Sequence, residues 1–398
     1  MTPVLLLTLA ACGTTQPPET GPAPEENGNG PEELKPYSKV VPDRAMTDTG
    51  LFLVHQVDDK YLYEIPDSLL GREMLMVSTI AASPADLSGY QVPGSVVQEQ
   101  VLLWQRRNRQ VLLRKISYRN VADSTLPISR SVQLLNLPPI LQAFDIEAIT
   151  PDSSGVVIDV TDFFTEDIPA LTGLSSSQRT EFKVKQLDAD RSFVNYIHSY
   201  PENIEVRQTL TWAASEPPSD ADAGTLTLQM QQSMVILPRE PMRIRYADAR
   251  VGWFSIEQTR FRQDELKAGT REFIRRWRLV PRDSAAYARG ELVEPVEPIV
   301  YYLDPATPER WRPFVKQGIE DWQVAFEAAG FKNAIIARDP PTPQEDPEFD
   351  PDDVRYHTVR WTANTTRNAM GPSVGDPRSG EILDSDIIWF HNHLRSYR

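Results

Sequence analysis

Histidine is the residue type that decides which metal chemistry this chain can support. A hydrolytic zinc site uses three protein ligands, an open position for water and a carboxylate base, and His-Glu-x-x-His on one helix supplies two ligands and the base. None of the histidines begins that pattern; they are His55, His198, His357, His391 and His393. The sequence therefore assigns no catalytic residue and no metal ligand within this chain.

Two of these histidines are close together in the sequence. His391 and His393 are spaced to lie on the same side of a strand. A pair without a third ligand favours polar residues at a strand end over a metal site. His357 falls inside the predicted strand Val354–Trp361, and we interpret it as an ordinary strand residue.

Carboxylates are concentrated between Asp346 and Asp353. Calcium prefers carboxylate oxygens, but this stretch lacks the spaced ligands and the turn glycine of a calcium loop. Its prolines stiffen it, and we expect a solvated acidic loop.

The overall charge restricts the partners. A net charge of -15 and a pI near 4.9 argue against nucleic acid or an anionic membrane surface as a main partner. The basic run Arg275–Arg278 lies inside an alternating strand pattern, so we expect a solvated strand face there instead of a nucleic-acid groove.

The single cysteine, Cys12, excludes an intramolecular disulfide and a cysteine-based zinc site. It follows Leu9-Ala10-Ala11 and an apolar run, a pattern that resembles the lipobox of bacterial lipoprotein signal peptides. The resemblance implies that residues 1–12 are a signal peptide and that Cys12 is the lipid attachment site. The protein would then sit in the cell envelope, on the outer membrane or the periplasmic face, and contact the membrane through the lipid anchor only. The alternative is a chance cysteine in an ordinary signal peptide.

Composition changes twice along the rest of the chain. Residues 13–44 are rich in Pro, Glu and Gly and predict a disordered linker. Residues 45–281 read as one β-rich domain, in which Leu126–Asn136 and Asp162–Asp167 are short helices. Between Ile204 and Trp212, apolar residues alternate with polar residues beginning at Glu205, which predicts a strand.

Beyond residue 290 the pattern is strand, helix and further strands. A strand at Pro298–Leu303 is followed by Thr307, which we expect to cap a helix of about six turns. The buried stripe of that helix begins at Trp311, and Gly330 ends it. Strands at 333–337 and 354–361 follow, so we expect a mixed sheet with one helix packed on it.

The residues around Gly380 are the candidate binding site. Asp376–Gly380 has turn chemistry, and Glu381–Trp389 then predicts one strand. The exposed edge of such a strand can pair with an extended peptide through main-chain hydrogen bonds. The expected substrate-binding residues are Gly380, Glu381, Ile382 and Leu383. The alternative is a sheet strand without a ligand, because a fold alone does not specify a function.

The order of these elements resembles the upper, N-terminal half of the catalytic domain of metzincin-type zinc proteases, over about residues 291–398. Three motifs look like those of a bacterial family of large zinc-dependent metalloproteases: Gly318–Trp322, Ala325–Phe331 and Asp376–Ile382. That family carries an N-terminal region of unknown function, to which residues 45–281 look similar.

The resemblance implies an α+β fold, with a large β-rich N-terminal body followed by an incomplete metzincin-like αβ catalytic domain. It implies that the complete protein binds zinc and hydrolyses peptide bonds of a peptide or protein substrate, with His-Glu-x-x-His on a helix beyond this chain. We expect the 398 residues alone to be inactive and to bind no zinc, with Trp389 and Phe390 exposed because the lower half is missing. The competing hypothesis is a noncatalytic envelope lipoprotein whose β-rich domain binds a peptide or a glycan.

Overall fold

The computed structural model describes residues 34–88 and 91–397, and Lys35–Arg398 form one compact unit. Cys12, the predicted signal peptide and the predicted linker up to residue 33 lie outside the described residues. Helix α1 (Tyr37–Val40) lies within the predicted linker. Because Tyr37 and Val40 pack against a buried cluster that contains Leu62, the folded part begins before Ala45.

The N-terminal body is mainly β, as the sequence predicts. Its described strands are β1 (Met46–Thr49), β2 (Leu53–Val57), β3 (Lys60–Pro66), β4 (Glu73–Ala82), β5 (Val96–Arg107), β6 (Gln110–Ile116), β7 (Asn120–Ala122), β8 (Ile140–Ile149), β9 (Gly155–Asp159), β10 (Val184–Leu187), β11 (Phe193–Ser199), β12 (Asn203–Ala214), β13 (Thr225–Ile236), β14 (Ser255–Phe261) and β15 (Gly269–Ile274). A large antiparallel sheet has the order β1-β2-β3-β9-β8-β6-β5-β4-β13-β12-β10, and β11 also pairs with β12. A small sheet has the order β15-β14-β7, with β7 parallel to β14.

Short helices accompany these strands. They are α2 (Ile128–Leu135), α3 (Thr161–Thr165), α4 (Ser176–Glu181) and α5 (Ser284–Ala288). The first two match the helices predicted from the sequence. The aromatic rings of Phe163 and Phe164 on α3 pack into the core of the large sheet with Tyr63 and Trp104, all four nearly inaccessible to solvent.

Strand β12 forms where the alternation predicts a strand, and it is covered on both faces. Val206 and Trp212 are buried as expected. On the other face Glu205 is only 1% exposed and Thr211 is buried as well. Residues 350–354 lie across this part of the sheet, with the Asn203 side chain donating to the Asp352 carbonyl at 3.1 Å. This covering segment is distant in sequence, so alternation alone did not reveal it.

The C-terminal part contains the expected mixed sheet with helical structure on it. Its elements are β16 (Ile299–Leu303), α6 (Arg312–Glu320), α7 (Gln323–Ala328), β17 (Ile335–Arg338), β18 (His357–Thr362), β19 (Ala369–Met370), β20 (Val374–Gly375), β21 (Ile382–Asp384) and β22 (Ile387–Phe390). The five-stranded sheet has the order β17-β16-β18-β22-β19. Its first four strands are parallel, and the edge strand β19 is antiparallel to β22. Strands β20 and β21 form a separate pair.

The helix following β16 is shorter and less regular than the sequence indicates. A 3-10 turn at Glu309–Trp311 precedes α6, and Asp321 and Trp322 separate α6 from α7. Thr307 does not cap it, since the residue before the first turn is Pro308 and no side chain caps that turn. Gly330 follows α7 with a φ of 92°, the left-handed conformation that suits glycine at a helix end.

The predicted strand from Glu381 to Trp389 is broken. Asp386, between β21 and β22, accepts hydrogen bonds from the Thr358 amide at 2.8 Å and from Arg360 at 2.5 Å. Strand β21 pairs with β20, while β22 belongs to the five-stranded sheet. Phe390 is fully buried and Trp389 half-buried, so the expectation of an exposed pair is wrong for Phe390.

No helix of residues 34–88 and 91–397 is both long enough and apolar enough to span a bilayer.

Candidate functional site

The turn at Asp376–Gly380 forms as predicted and is anchored in the N-terminal body. The Asp376 carboxylate is inaccessible to solvent and accepts hydrogen bonds from the Arg378 main chain and guanidinium at 2.8–3.1 Å. Arg378 also pairs with Glu73 on β4 at 3.2 Å. Gly380 has a φ of 76°, and an added Cβ would lie 2.3 Å from the carbonyl oxygen of Ile274. Only glycine fits this close approach.

The edge of the candidate binding segment is occupied by the chain itself. The Arg276 amide donates to the Gly380 carbonyl at 2.8 Å, and the Ile382 amide donates to the Arg276 carbonyl at 2.9 Å. The Arg278 guanidinium holds the nearly buried Glu381 carboxylate through bonds of 2.5 and 2.6 Å. The expectation of a free edge is therefore corrected for Gly380 and Ile382.

The basic run Arg275–Arg278 therefore contacts the candidate binding segment, which the alternating pattern of its sequence did not indicate. Arg276 and Arg278 contribute main-chain and side-chain bonds to the candidate segment, while the Arg275 guanidinium reaches the Ser373 carbonyl and lies 3.5 Å from Glu99. The run joins the N-terminal body to the residues around Gly380.

A terminal sheet edge lies nearby, on β19, where the Ala369 amide donates to the Asn368 side chain at 2.9 Å. In the described sheet β19 is the terminal strand, and Ala369 and Met370 pair on one side with Trp389 and Ile388. A cleft of about 630 Å³ lies beside it, bounded by β19 and the N-terminal body. Its lining includes Ser95, Glu99, Phe254, Arg275, Ala369 and Met370. Sequence analysis missed this edge because a two-residue strand has no periodicity to detect.

Glu381, Ile382 and Leu383 line a second cavity of about 750 Å³, on the side of His357. Nδ1 of His357 lies 2.9 Å from a carboxylate oxygen of Asp384, and the Trp277 ring packs edge-on against the imidazole at a centroid distance of 4.7 Å. His357 is on β18, as predicted. The carboxylate and the indole fix the orientation of its ring.

His391 and His393 are not on a strand. They begin the 3-10 helix His391–Tyr397, where His393 packs edge-on against Trp389 and His391 against Trp361. In the part of the chain that the structure describes, no group of three or more His, Cys, Asp or Glu residues is arranged to hold a metal ion.

The acidic stretch Asp346–Asp353 is not a solvated loop throughout. Asp353 is inaccessible to solvent and pairs with the Arg355 guanidinium at 2.6 Å. Asp350 accepts from the Tyr200 hydroxyl at 2.5 Å. Asp350 holds the loop against the N-terminal body, which the sequence pattern does not reveal because Tyr200 is 150 positions away, whereas Asp353 is bonded within the loop itself.

Asp352 belongs to a half-buried ionic cluster between the large sheet and the five-stranded sheet. It lies 3.3 Å from Arg207 and 3.1 Å from Arg360, and Arg360 also pairs with Asp386. Glu205 lines the same cavity of about 220 Å³. Burial raises the pKa of the Glu205 carboxyl well above its usual range, and the charge of Asp352 raises it further. Burial also raises the pKa of Asp386, against the opposing effect of Arg360.

An apolar groove of about 480 Å³ lies between helices α6 and α7 and one face of the five-stranded sheet. The aromatic residues that line it are Trp277, Tyr301, Trp311, Phe314, Trp322, Phe326, Trp361 and Trp389. Phe314 and Trp322 are about two-thirds exposed, at 66% and 65%. An open groove of this composition is typical of a surface that another element covers.

The sequence contains a match to the motif of a serine nucleophile, although the local structure does not fit that role. Gly371–Gly375 fits the pattern Gly-x-Ser-x-Gly, with Ser373 at its centre. A nucleophile elbow requires a sharp strand-to-helix turn. Ser373 instead lies between β19 and β20, with no helix following, so the match does not identify a nucleophile.

Comparison with known families finds similarity over the N-terminal body. Residues 94–282 match the family model described as Domain of unknown function (DUF5117), and residues 34–83 match the one described as Domain of unknown function (DUF5118). No curated protein matches the chain. No solved structure matches it either.

Proposed function

We propose that this chain is the N-terminal portion of a cell-envelope zinc metalloprotease, with a metzincin-like half-domain at residues 291–398. The observation that carries the proposal is the five-stranded sheet, in which four parallel strands end at the single antiparallel edge strand β19. An edge strand beside a cleft can bind an extended peptide through its main chain, which suits an enzyme that accepts many sequences.

The position of the cleft supports a peptide substrate. Main-chain groups of Gly380 and Ile382 are bonded to Arg276, so in this arrangement they cannot bond a substrate. We therefore place the substrate along the outer edge of Ala369 and Met370. Glu381 and Leu383 remain near the adjoining cavity, where they support the wall of the site.

The described residues do not fit a catalytic zinc ion, because no three potential ligands converge. The proposal therefore assigns the zinc ligands and the general base to a further helix carrying His-Glu-x-x-His. The apolar groove against α6 and α7 offers a surface for such a helix, because its aromatic side chains would lose contact with water on packing.

The direct test is to read the gene beyond the codon for Arg398. We expect His-Glu-x-x-His within a few dozen residues, in frame. An intact reading frame without that motif would refute the protease proposal and favour a noncatalytic envelope lipoprotein.

A further inference from the structure

An aliphatic patch protrudes from the N-terminal body at the end of α2. Leu134, Leu135 and Leu137 are 75%, 83% and 79% exposed, and Ile140 is 48% exposed. We call these four residues the leucine patch. Leu134 and Leu135 end α2, Leu137 lies in the loop after it, and Ile140 begins β8. Exposed aliphatic residues in such a cluster mark a surface that binds a partner or a membrane.

The leucine patch is held in position by contacts between α2 and the N-terminal body. Val132, on the inner side of α2, is buried, and α2 contacts β7 and β14. The Asn120 side chain donates to the Asn136 side chain at 3.0 Å, and the Asn136 side chain donates to the Asn120 carbonyl at 3.1 Å. These bonds hold the helix end in place, so the leucines are presented outward and cannot fold back into the core without breaking them.

Arginines lie beside the patch although the whole chain is acidic. Between Ser124 and Phe144 the only charged residue is Arg130. The exposed carboxylates Asp123 and Asp145 lie at the two ends of this stretch. The Arg114 guanidinium donates to the Pro138 carbonyl at 2.9 Å and to the Gln105 side chain at 2.7 Å.

Arg119, next to Asn120, adds a further exposed cation to this rim. Among the residues that the structure describes, the ion pairs do not include Arg119 or Arg130. The local charge at this surface therefore differs from the net charge of -15 of the whole chain.

We propose that the leucine patch inserts into a lipid bilayer that contains anionic headgroups. Aliphatic side chains bordered by Arg and Lys are the composition of interfacial membrane-binding segments. Protein interfaces depend instead on aromatic and Arg anchors in pockets, where leucine is under-represented. The Arg119 and Arg130 cations fit phosphate-bearing headgroups, and the leucines fit the acyl boundary beneath them.

The test is flotation of the full chain with vesicles, using Cys12→Ser throughout so that no acyl chain contributes. Vesicles of phosphatidylethanolamine with phosphatidylglycerol supply the anionic surface, and phosphatidylcholine vesicles serve as the neutral comparison. The variant Leu134→Ser, Leu135→Ser, Leu137→Ser should bind the anionic vesicles at least tenfold more weakly, since each lost leucine removes buried apolar area. The matched control, Leu292→Ser with Val324→Ser, changes exposed apolar residues elsewhere and should bind like the parent.

A second variant keeps the leucines and removes charge. Arg119→Gln with Arg130→Gln should weaken binding to the anionic vesicles by about fivefold per charge and leave binding to phosphatidylcholine unchanged. Circular dichroism checks that each variant is folded. Equal flotation of the parent and the leucine variant would overturn the proposal. So would a parent that is a dimer in solution and does not float, with the leucine variant monomeric, because the patch would then be covered by a second copy.

Discussion

Replacing Gly380 with alanine tests whether the segment around Arg276 is held against the Gly380–Ile382 edge. The alanine Cβ would lie 2.3 Å from the Ile274 carbonyl oxygen, a main-chain atom that cannot move without shifting the strand. We expect the two segments to separate there. The Arg276–Gly380 and Ile382–Arg276 main-chain hydrogen bonds should then be lost.

The expected cost follows from these contacts. A non-glycine residue in the left-handed region costs about 1–2 kcal/mol. Each main-chain hydrogen bond contributes about 0.5–1.5 kcal/mol net. Gly380→Ala should therefore lower the free energy of unfolding by roughly 2–5 kcal/mol, measured by urea denaturation followed by tryptophan fluorescence.

Gly71→Ala is the matched control. Gly71 has a φ of 81°, close to that of Gly380, but no atom lies within 4 Å of the added Cβ. Gly71→Ala should lower the free energy of unfolding only by the cost of the left-handed conformation, about 1–2 kcal/mol. If the two variants lose the same stability, the close contact between Gly380 and Ile274 is not present in solution.

Two further predictions concern Glu205 and Cys12. Because the native pKa of Glu205 is raised above the usual value of 4.5, the folded protein keeps a proton that the unfolded chain releases. The free energy of unfolding of the parent should therefore fall relative to that of Glu205→Gln as pH rises above about 4.5; parallel pH profiles from equilibrium denaturation would contradict this. For Cys12, expression in a Gram-negative host should place the protein in the detergent phase on phase partitioning, and Cys12→Ser should move it to the aqueous phase. Equal partitioning of the two forms would exclude a lipid anchor at this residue.

Local patterns predicted the β-rich character of the N-terminal body and part of its strands. Local turn chemistry is visible at Asp58, which joins β2 and β3 in the left-handed conformation. The order of elements after residue 290 predicted a mixed sheet with helical packing, because parallel strands need long connections.

Contacts between segments far apart in sequence were not predictable in the same way. Glu205 is one of the polar residues of an alternating strand, and its burial depends on residues 350–354, which lie across it. The free edge expected at Gly380 is filled by Arg276, about a hundred positions earlier in the chain. Alternation describes one strand and its two faces, and it contains no information about which distant segment covers a face or an edge.

The secondary structure around the histidines also depended on distant partners. The bonds from Thr358 and Arg360 to Asp386 divide the predicted strand, and His391 then starts a 3-10 helix. A side chain that bonds a neighbouring strand interrupts its own strand without any Gly or Pro in the sequence to signal it.

Zinc content and casein hydrolysis, measured on the 398-residue chain and on the longer protein that the proposal expects, test the central claim most directly. We predict that the shorter chain retains no stoichiometric zinc and does not cleave casein. The longer protein should gain both properties together, and replacing the glutamate of His-Glu-x-x-His with glutamine should abolish cleavage while zinc remains bound. Stoichiometric zinc in the shorter chain, lost on replacing His391 and His393 with alanine, would contradict the proposed location of the metal site. A longer protein that binds zinc but cleaves no peptide bond would contradict the proposed activity.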